Sequence, residues 1–364
     1  MKVIVSGGGT GGHIYPAIAV ANRLVERVPG VDILFVGAQG KMEMEKVPLA
    51  GFRIKGLWIS GLQRRLTVKN LSFPFKLTSS LIRAYRIVRD FNPDVVAGFG
   101  GYASGPTLYA ASAMGIPAVI QEQNSYPGIT NKLLARRVEA ICVAYPGMER
   151  FFPAGKIRLT GNPVRSDLLE LAGKREEAMA YFGLDTDKKT LLLFGGSLGA
   201  RTLNQLMRAG TDLLRTRNDI QVLWQMGKLY AEQYGQCETA DLSTVRAMQY
   251  IDRMDLAYAA ADVVVCRAGA LTISELCLAA RAAVLIPSPH VAEDHQTRNA
   301  MALVDKRAAL LVRDAEAAMQ ALPVAFELLD DEEKRQALAR QISRLAHPQA
   351  ADAIVNELLQ IAGR

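Results

Sequence analysis

Short runs of apolar residues alternate along the whole chain with longer stretches in which apolar residues recur every three or four positions. Met1–Val5, Asp32–Val36, Asp94–Ala97, Ala118–Gln121 and Ala140–Ala144 have the length and composition of buried strands. The stretches between them, beginning with Ile14–Arg27, carry helical spacing. Such alternation predicts parallel α/β layers. After the run Lys156–Thr160 the turn cluster Gly161-Asn162-Pro163 reads as a hinge. Beyond it the plan repeats with strands at Thr190–Phe194, Asp262–Cys266 and Ala283–Pro287. The expected fold is two doubly wound α/β domains in tandem, residues 1–162 and 163–347, facing each other across a cleft. The last helical stretch, Ala350–Ile361 within the tail 348–364, is expected to pack back onto the first domain.

Bulk numbers agree with that plan. A chain of 364 residues suits two domains, and half of its residues are hydrophobic, enough for two cores. Cys142, Cys237, Cys266 and Cys277 show no paired spacing and read as thiols of a reducing compartment. The N-terminus reads as a strand and not as a signal peptide, and no apolar run is long enough to span a bilayer.

The net charge of +7 is unevenly placed. Lys46, Arg53, Lys55, Arg64, Arg65, Lys69, Lys76, Arg83, Arg86 and Arg89 fall in one segment without an acidic residue, among Trp58, Leu66, Leu71, Phe73 and Phe75. That mixture suits an anionic membrane surface. No nucleic-acid motif accompanies it, so nucleic acid is not an expected partner. The competing reading is an ordinary core helix with a solvated basic face, because Leu77, Leu81, Tyr85 and Val88 follow helical spacing.

The chemistry concentrates in glycine loops. The first strand runs into Gly7-Gly8-Gly9-Thr10-Gly11-Gly12-His13, which leaves backbone N–H groups at a helix N-terminus, a site for anions. Gly7, Gly9 and Gly12 also satisfy the dinucleotide spacing, but the next strand ends in Gly37-Ala38-Gln39 with no acid to hold a ribose. A dehydrogenase is therefore disfavoured. A second loop, Gly195-Gly196-Ser197-Leu198-Gly199-Ala200, opens a helix in the second half.

Taken in order, GGGTGGH (7–13), GGYASGP (100–106), EQN (122–124), GNPVR (161–165), GGSLGAR (195–201), CRAGALTISE (266–275) and HQTRNA (295–300) resemble the MurG family of bacterial glycosyltransferases across essentially the whole chain. The resemblance implies two Rossmann-like domains in a GT-B fold and an inverting transfer of N-acetylglucosamine. The donor would be UDP-N-acetylglucosamine, and the acceptor the C4 hydroxyl of the muramoyl sugar in undecaprenyl-diphospho-MurNAc-pentapeptide. It implies peripheral attachment at the cytoplasmic face of the inner membrane, with other cell-wall synthesis proteins as candidate partners. No cofactor or metal is expected.

By the same resemblance the second domain holds the donor. Ser197, Leu198 and Gly199 suit the leaving pyrophosphate, whose charge grows in the transition state. Glu275 matches the residue that accepts from the ribose hydroxyls, and Ile251 the one whose backbone reads uracil. Arg267, with Gly269, Ala270, Leu271 and Thr272, belongs to the nucleotide pocket. Gln296 and Asn299, three apart on a helix, are candidates for the donor sugar. Thr10, Gly11, Gly12, His13, Asn124 and Arg165 are further donor candidates. Gly9, Thr10, His13, Tyr102 and Asn131 are expected at the acceptor.

His13 has three readings: general base on the acceptor hydroxyl, donor to the acceptor diphosphate, or a local cap. Glu122 is a second candidate base. Ala268 stands where a serine is usual, and Leu278-Ala-Ala-Arg-Ala282 lacks a usual glycine and proline. Rival functions are a diacylglycerol glycosyltransferase, a UDP-N-acetylglucosamine 2-epimerase and a non-catalytic nucleotide-sugar sensor.

Overall fold

The computed structural model describes residues 1–61 and 73–363. Two compact units divide it, Met1–Arg165 with His347–Arg364, and Ser166–Ala346. The division falls just past the turn at Gly161-Asn162-Pro163.

The first unit is built on seven parallel strands: β1 (Lys2–Ser6), β2 (Asp32–Ala38), β3 (Arg53–Leu57), β4 (Val95–Gly98), β5 (Ala118–Glu122), β6 (Ala140–Val143) and β7 (Ile157–Leu159). Their order across the sheet is β3-β2-β1-β4-β5-β6-β7. Alternate residues face opposite layers, which is why Val3, Ile4 and Val5 in β1 are all apolar. Ile4 joins one core cluster, with Leu34, Val96 and Ile120. Val3 and Val5 join the other, under the helix Gly11–Arg27.

The terminal helix, Ala350–Ile361, buries Ile354, Val355 and Leu358 in that second cluster. Asp352 accepts from Arg23 at 2.8 Å and fixes this helix beside Gly11–Arg27.

The second unit has six parallel strands: β8 (Lys189–Phe194), β9 (Ile220–Gln225), β10 (Val245–Met248), β11 (Val263–Cys266), β12 (Ala282–Leu285) and β13 (Leu310–Leu311). They lie in the order β10-β9-β8-β11-β12-β13. Leu191 and Leu193 face one cluster, Leu192 and Phe194 the other.

Each sheet reverses its winding at one place, between β1 and β4 and between β8 and β11. At those places consecutive chain segments depart to opposite sides and leave a crevice at the strand C-termini. Ser6 is in register with Gly98, and Phe194 with Cys266. The loops 7–10 and 99–103 therefore leave the first sheet side by side, as do 195–200 and 267–269 in the second.

Among the described residues the basic segment is spread over three elements. Lys46 lies on the helix Glu43–Leu49, and Arg53, paired with Asp32, lies with Lys55 in β3. Arg64, Arg65, Leu66, Lys69 and Leu71 lie outside the described residues. The helix Phe73–Phe91 buries Ser80, Ala84, Ile87 and Val88, so Tyr85, expected in the core stripe, points outward instead.

Candidate active site

The helix Gly11–Arg27 begins three residues before the expected Ile14, so Gly11, Gly12 and His13 form its first turn. Among the described residues the N–H groups of Gly11 and Gly12 have no acceptor, as the first turn of a helix requires. Gly9, by contrast, gives its N–H to Glu43 Oε2 at 2.9 Å, and Ala38 gives its N–H to Glu43 Oε1 at 2.9 Å. Glu43 is fully buried beneath the loop. The sequence reading missed it because it follows β2 on a helix rather than ending the strand. Gly101, at φ +83°, lies against the backbone of Gly8, where any side chain would strike the Gly8 carbonyl.

His13 is half-buried, with its ring against Gly100. Its Nδ1 lies 3.0 Å from the Gly8 carbonyl oxygen and 3.2 Å from Thr10 Oγ1. A carbonyl only accepts, so Nδ1 carries the proton and the neutral ring keeps its lone pair on Nε2. That tautomer is the one a base acting through Nε2 needs. Thr10 makes no side-chain cap to the helix.

Glu122, at the end of β5, is 2% exposed. Its Oε1 accepts from the backbone N–H of Asn124 at 3.1 Å and from Asn124 Nδ2 at 3.3 Å. Its Oε2 accepts from Gly128 N–H at 3.1 Å and Asn131 Nδ2 at 2.8 Å. Burial pushes its pKa up, against the pull of those four donors. Both oxygens accept from its own loop, so Glu122, the second candidate base, also ties together residues 122–131. Asn124 and Asn131 are thereby placed together on that loop, whereas Tyr102 is half-exposed after Gly101. Arg165 is half-buried at the end of the first unit.

Beneath these loops lies a polar network that joins the EQN and GNPVR motifs and includes Gln121. Gln121 donates to Asn162 Oδ1 at 2.9 Å, Asn162 donates to the Gln123 carbonyl at 3.0 Å, and Gln123 donates to the Phe99 carbonyl at 2.8 Å. All three side chains are buried.

In the second unit the loop after β8 turns its carbonyls inward. Gly196 O accepts from Gln225 Nε2 at 3.0 Å, Ser197 O from Lys228 N–H at 3.1 Å and Leu198 O from Leu229 N–H at 3.2 Å. Gly199, at φ +84°, packs against Gly227 so closely that neither position admits a side chain. Among the described residues the N–H groups of Ser197 and Leu198 and the Ser197 hydroxyl have no partner, and both residues are exposed. Gly199 departs from expectation: its N–H closes the turn onto Gly196 O at 2.9 Å and is not available to a ligand.

Beside this loop the helix Ala270–Ala279 starts after Gly269 with no side-chain cap. Among the described residues the N–H groups of Ala270, Leu271 and Thr272 have no acceptor. The 195–200 loop, with its free N–H groups, leads into the helix Arg201–Ala209. That loop and the N-terminus of Ala270–Ala279 thus follow neighbouring strands at one switch point, and both favour an anion. One turn on, Glu275 is half-buried and accepts from the Tyr258 hydroxyl at 3.1 Å.

Four other donor candidates, Arg267, Ile251, Gln296 and Asn299, are held within the second unit. Arg267 forms an ion pair with Asp314 and donates to the Ile286 carbonyl at 3.0 Å, so the negative charge it faces belongs to the chain. Asp314 in turn accepts from Thr202 at 3.2 Å, tying the two loop-helices together. Ile251 gives its N–H to Gln225 Oε1 at 2.8 Å, which leaves its carbonyl as the backbone group for a base. Gln225, missed in the sequence, therefore joins the Gly196 loop to Ile251. Gln296 Oε1 accepts from Ser288 N–H at 2.8 Å, and Asn299 is fully buried, so the pair is not a surface amide face.

Away from the loops, the helix Phe73–Phe91 exposes Phe75 (74%) and Ile82 (51%) beside Arg83, Arg86 and Arg89. Lys76 Nζ sits 5.7 Å from the centre of the half-exposed Trp58 ring. Among the described residues no helix is long and apolar enough to cross a membrane, and no group of three or more His, Cys, Asp or Glu gathers to hold a metal ion.

Comparison with known proteins gives a consistent picture. Residues 3–143 match the glycosyltransferase family 28 N-terminal domain, and residues 190–356 its C-terminal domain. A protein of Flavobacterium psychrophilum is 54% identical over 99% of this chain and 97% of its own length. One of Christiangramia forsetii is 52% identical over 98% and 97%. Both carry the name UDP-N-acetylglucosamine–N-acetylmuramyl-(pentapeptide) pyrophosphoryl-undecaprenol N-acetylglucosamine transferase.

Among solved structures, Acinetobacter baumannii MurG superposes with a TM-score of 0.77 at 31% identity over 99% of each chain. A UDP-GlcNAc 2-epimerase from Neisseria meningitidis reaches 0.69 over 99% of this chain and 100% of its own, but at 14% identity it shares the fold alone.

Proposed function

The chain belongs to glycosyltransferase family 28, and on that premise we propose that it moves N-acetylglucosamine from UDP-N-acetylglucosamine to the C4 hydroxyl of undecaprenyl-diphospho-MurNAc-pentapeptide. The observation that carries this reading is full-length identity above half to relatives bearing that transferase name.

The acceptor oxygen attacks C1 of the donor sugar, the bond from C1 to the β-phosphate oxygen breaks, and the anomeric centre inverts. His13 Nε2 takes the hydroxyl proton, while Nδ1–H stays on the Gly8 carbonyl and orients the ring. The departing diphosphate gains charge, and the N–H groups of Ser197 and Leu198 with those of Ala270, Leu271 and Thr272 are aimed to receive it. Glu275 accepts from the ribose hydroxyls with one oxygen held by Tyr258.

The test mixes the protein, UDP-N-acetylglucosamine and a short-chain acceptor analogue and follows UDP release. Acceptor-dependent release is expected, and its absence from a folded sample overturns the reading. An epimerase would instead convert the free donor, a diacylglycerol enzyme would use neutral lipid, and a sensor would bind without turnover. For the donor site, Glu275→Ala is expected to weaken UDP binding about 10–100-fold through loss of charge-assisted hydrogen bonds. Unchanged affinity by calorimetry would remove Glu275 from the ribose.

The lipid-linked acceptor calls for a membrane surface, and the outer face of Phe73–Phe91 suits one. Phe75 and Ile82 insert, while Lys76, Arg83, Arg86 and Arg89 face anionic headgroups, at about 1 kcal/mol per basic group. The double change Phe75→Ser and Ile82→Ser is expected to cut binding to phosphatidylglycerol vesicles by at least about tenfold. Turnover of a water-soluble acceptor should be unaffected. Equal vesicle binding would move the contact elsewhere.

A further inference from the structure

Glu43 is a fully buried carboxylate that the proposed chemistry does not use, yet it touches the catalytic loop at a telling place. Its Oε2 accepts the N–H of Gly9 at 2.9 Å. The carbonyl that accepts from His13 Nδ1 at 3.0 Å is that of Gly8. These two groups belong to one peptide unit, the amide joining Gly8 to Gly9. Carboxylate, amide and imidazole therefore form a single line of hydrogen bonds.

The geometry points to Glu43 as a positioning residue that acts on His13 through this one peptide bond. A carboxylate on the N–H side of an amide polarises it and makes its carbonyl oxygen a stronger acceptor. The stronger acceptor holds Nδ1–H, keeps the lone pair on Nε2, and favours the imidazolium that forms when Nε2 takes the acceptor proton. The peptide does in this chain what a directly bonded carboxylate does for other basic histidines. Two further features keep the line straight. Glu43 Oε1 is anchored by Ala38 N–H at 2.9 Å. A side chain at Gly8 would strike the carboxylate, and one at Gly37 would strike its methylene, so the loop and β2 close around Glu43 only as glycines.

The inference rests on His13 being the base, so its test reads the ring itself as well as turnover. Long-range nitrogen–proton spectra of histidine-labelled full-length protein, with His13→Gln to assign the signals, report the tautomer directly. In the wild-type protein the neutral His13 ring is expected as the Nδ1–H form, and an Nε2–H form overturns the proposal without any Glu43 variant.

In Glu43→Gln, which keeps shape but loses one acceptor, the ring is expected to move toward a mixture of tautomers. The kcat with acceptor should fall about 10–100-fold, as for a misoriented catalytic group, while UDP affinity stays as in wild type. Glu43→Asp keeps the charge and should recover part of both effects. A folded Glu43→Gln protein with the wild-type His13 spectrum overturns the proposal. A tautomer shift with unchanged kcat would uphold the hydrogen-bonded line but remove His13 as base, which separates the two failures.

Discussion

Replacing His13 with alanine is expected to lower kcat about 10²–10⁴-fold, the range for losing a positioned general base. The KM for acceptor and the affinity for UDP should change little. The split decides between the readings of His13. A residue that only held the acceptor diphosphate would raise the acceptor KM and leave kcat near its original value at saturation. A local cap would lower thermal stability and affect kcat only in proportion to unfolded protein.

His13→Asn sharpens the contrast, because its amide can still donate to the Gly8 carbonyl but presents nothing where Nε2 lay. It should be as inactive as the alanine variant. Activity retained in the asparagine variant would show that the hydrogen bond to Gly8, not proton transfer, is what the reaction needs from this position.

Strand–loop–helix units were legible wherever a buried strand was continuously apolar and ended in glycine, as at Val3–Val5 and Thr190–Phe194. The comparisons bear out the two-domain GT-B fold and the family that the ordered motifs pointed to. Strands escaped notice where polar residues interrupt the run. In β9, Gln221 and Gln225 are buried because each finds partners: Thr190 and Asp185 for one, Gly196 and Ile251 for the other. In β3, Arg53 and Lys55 lie at the sheet edge and read as part of a basic patch.

The site shows the same division. A motif identifies which residues gather at a loop, and the three-dimensional partner decides what each can still do. Nothing local distinguishes Arg267 free to meet phosphate from Arg267 held by Asp314, which lies 47 positions away in the chain. Gly199 likewise reads as a donor in the sequence, whereas its N–H is spent on the turn that makes the loop. Glu43 and Gln225 act on backbone amides, and an interaction of that kind leaves no spacing to detect.

Glu122→Ala tests whether the second buried carboxylate of the first unit is the organiser that its hydrogen bonds make it. Truncation leaves two backbone N–H groups and two side-chain amides without their acceptor, at a cost of about 2–4 kcal/mol for partly buried donors. Hydrogen exchange should accelerate over 122–134 in particular, and acceptor turnover should fall because Asn124 and Asn131 lose their common anchor.

The pH dependence carries a sign. Burial holds the folded-state pKa of Glu122 above its ordinary value, so its contribution to stability is whole below about pH 4, the ordinary glutamate range, and declines as pH rises. Alanine does not titrate. The gap in urea midpoint between wild type and Glu122→Ala should therefore be wider at about pH 5 than at about pH 8. A gap that widened toward pH 8 would mean that the four donors outweigh burial and hold the carboxylate ionised. Glu122 would then be ionised in the folded protein, the form that a general base requires.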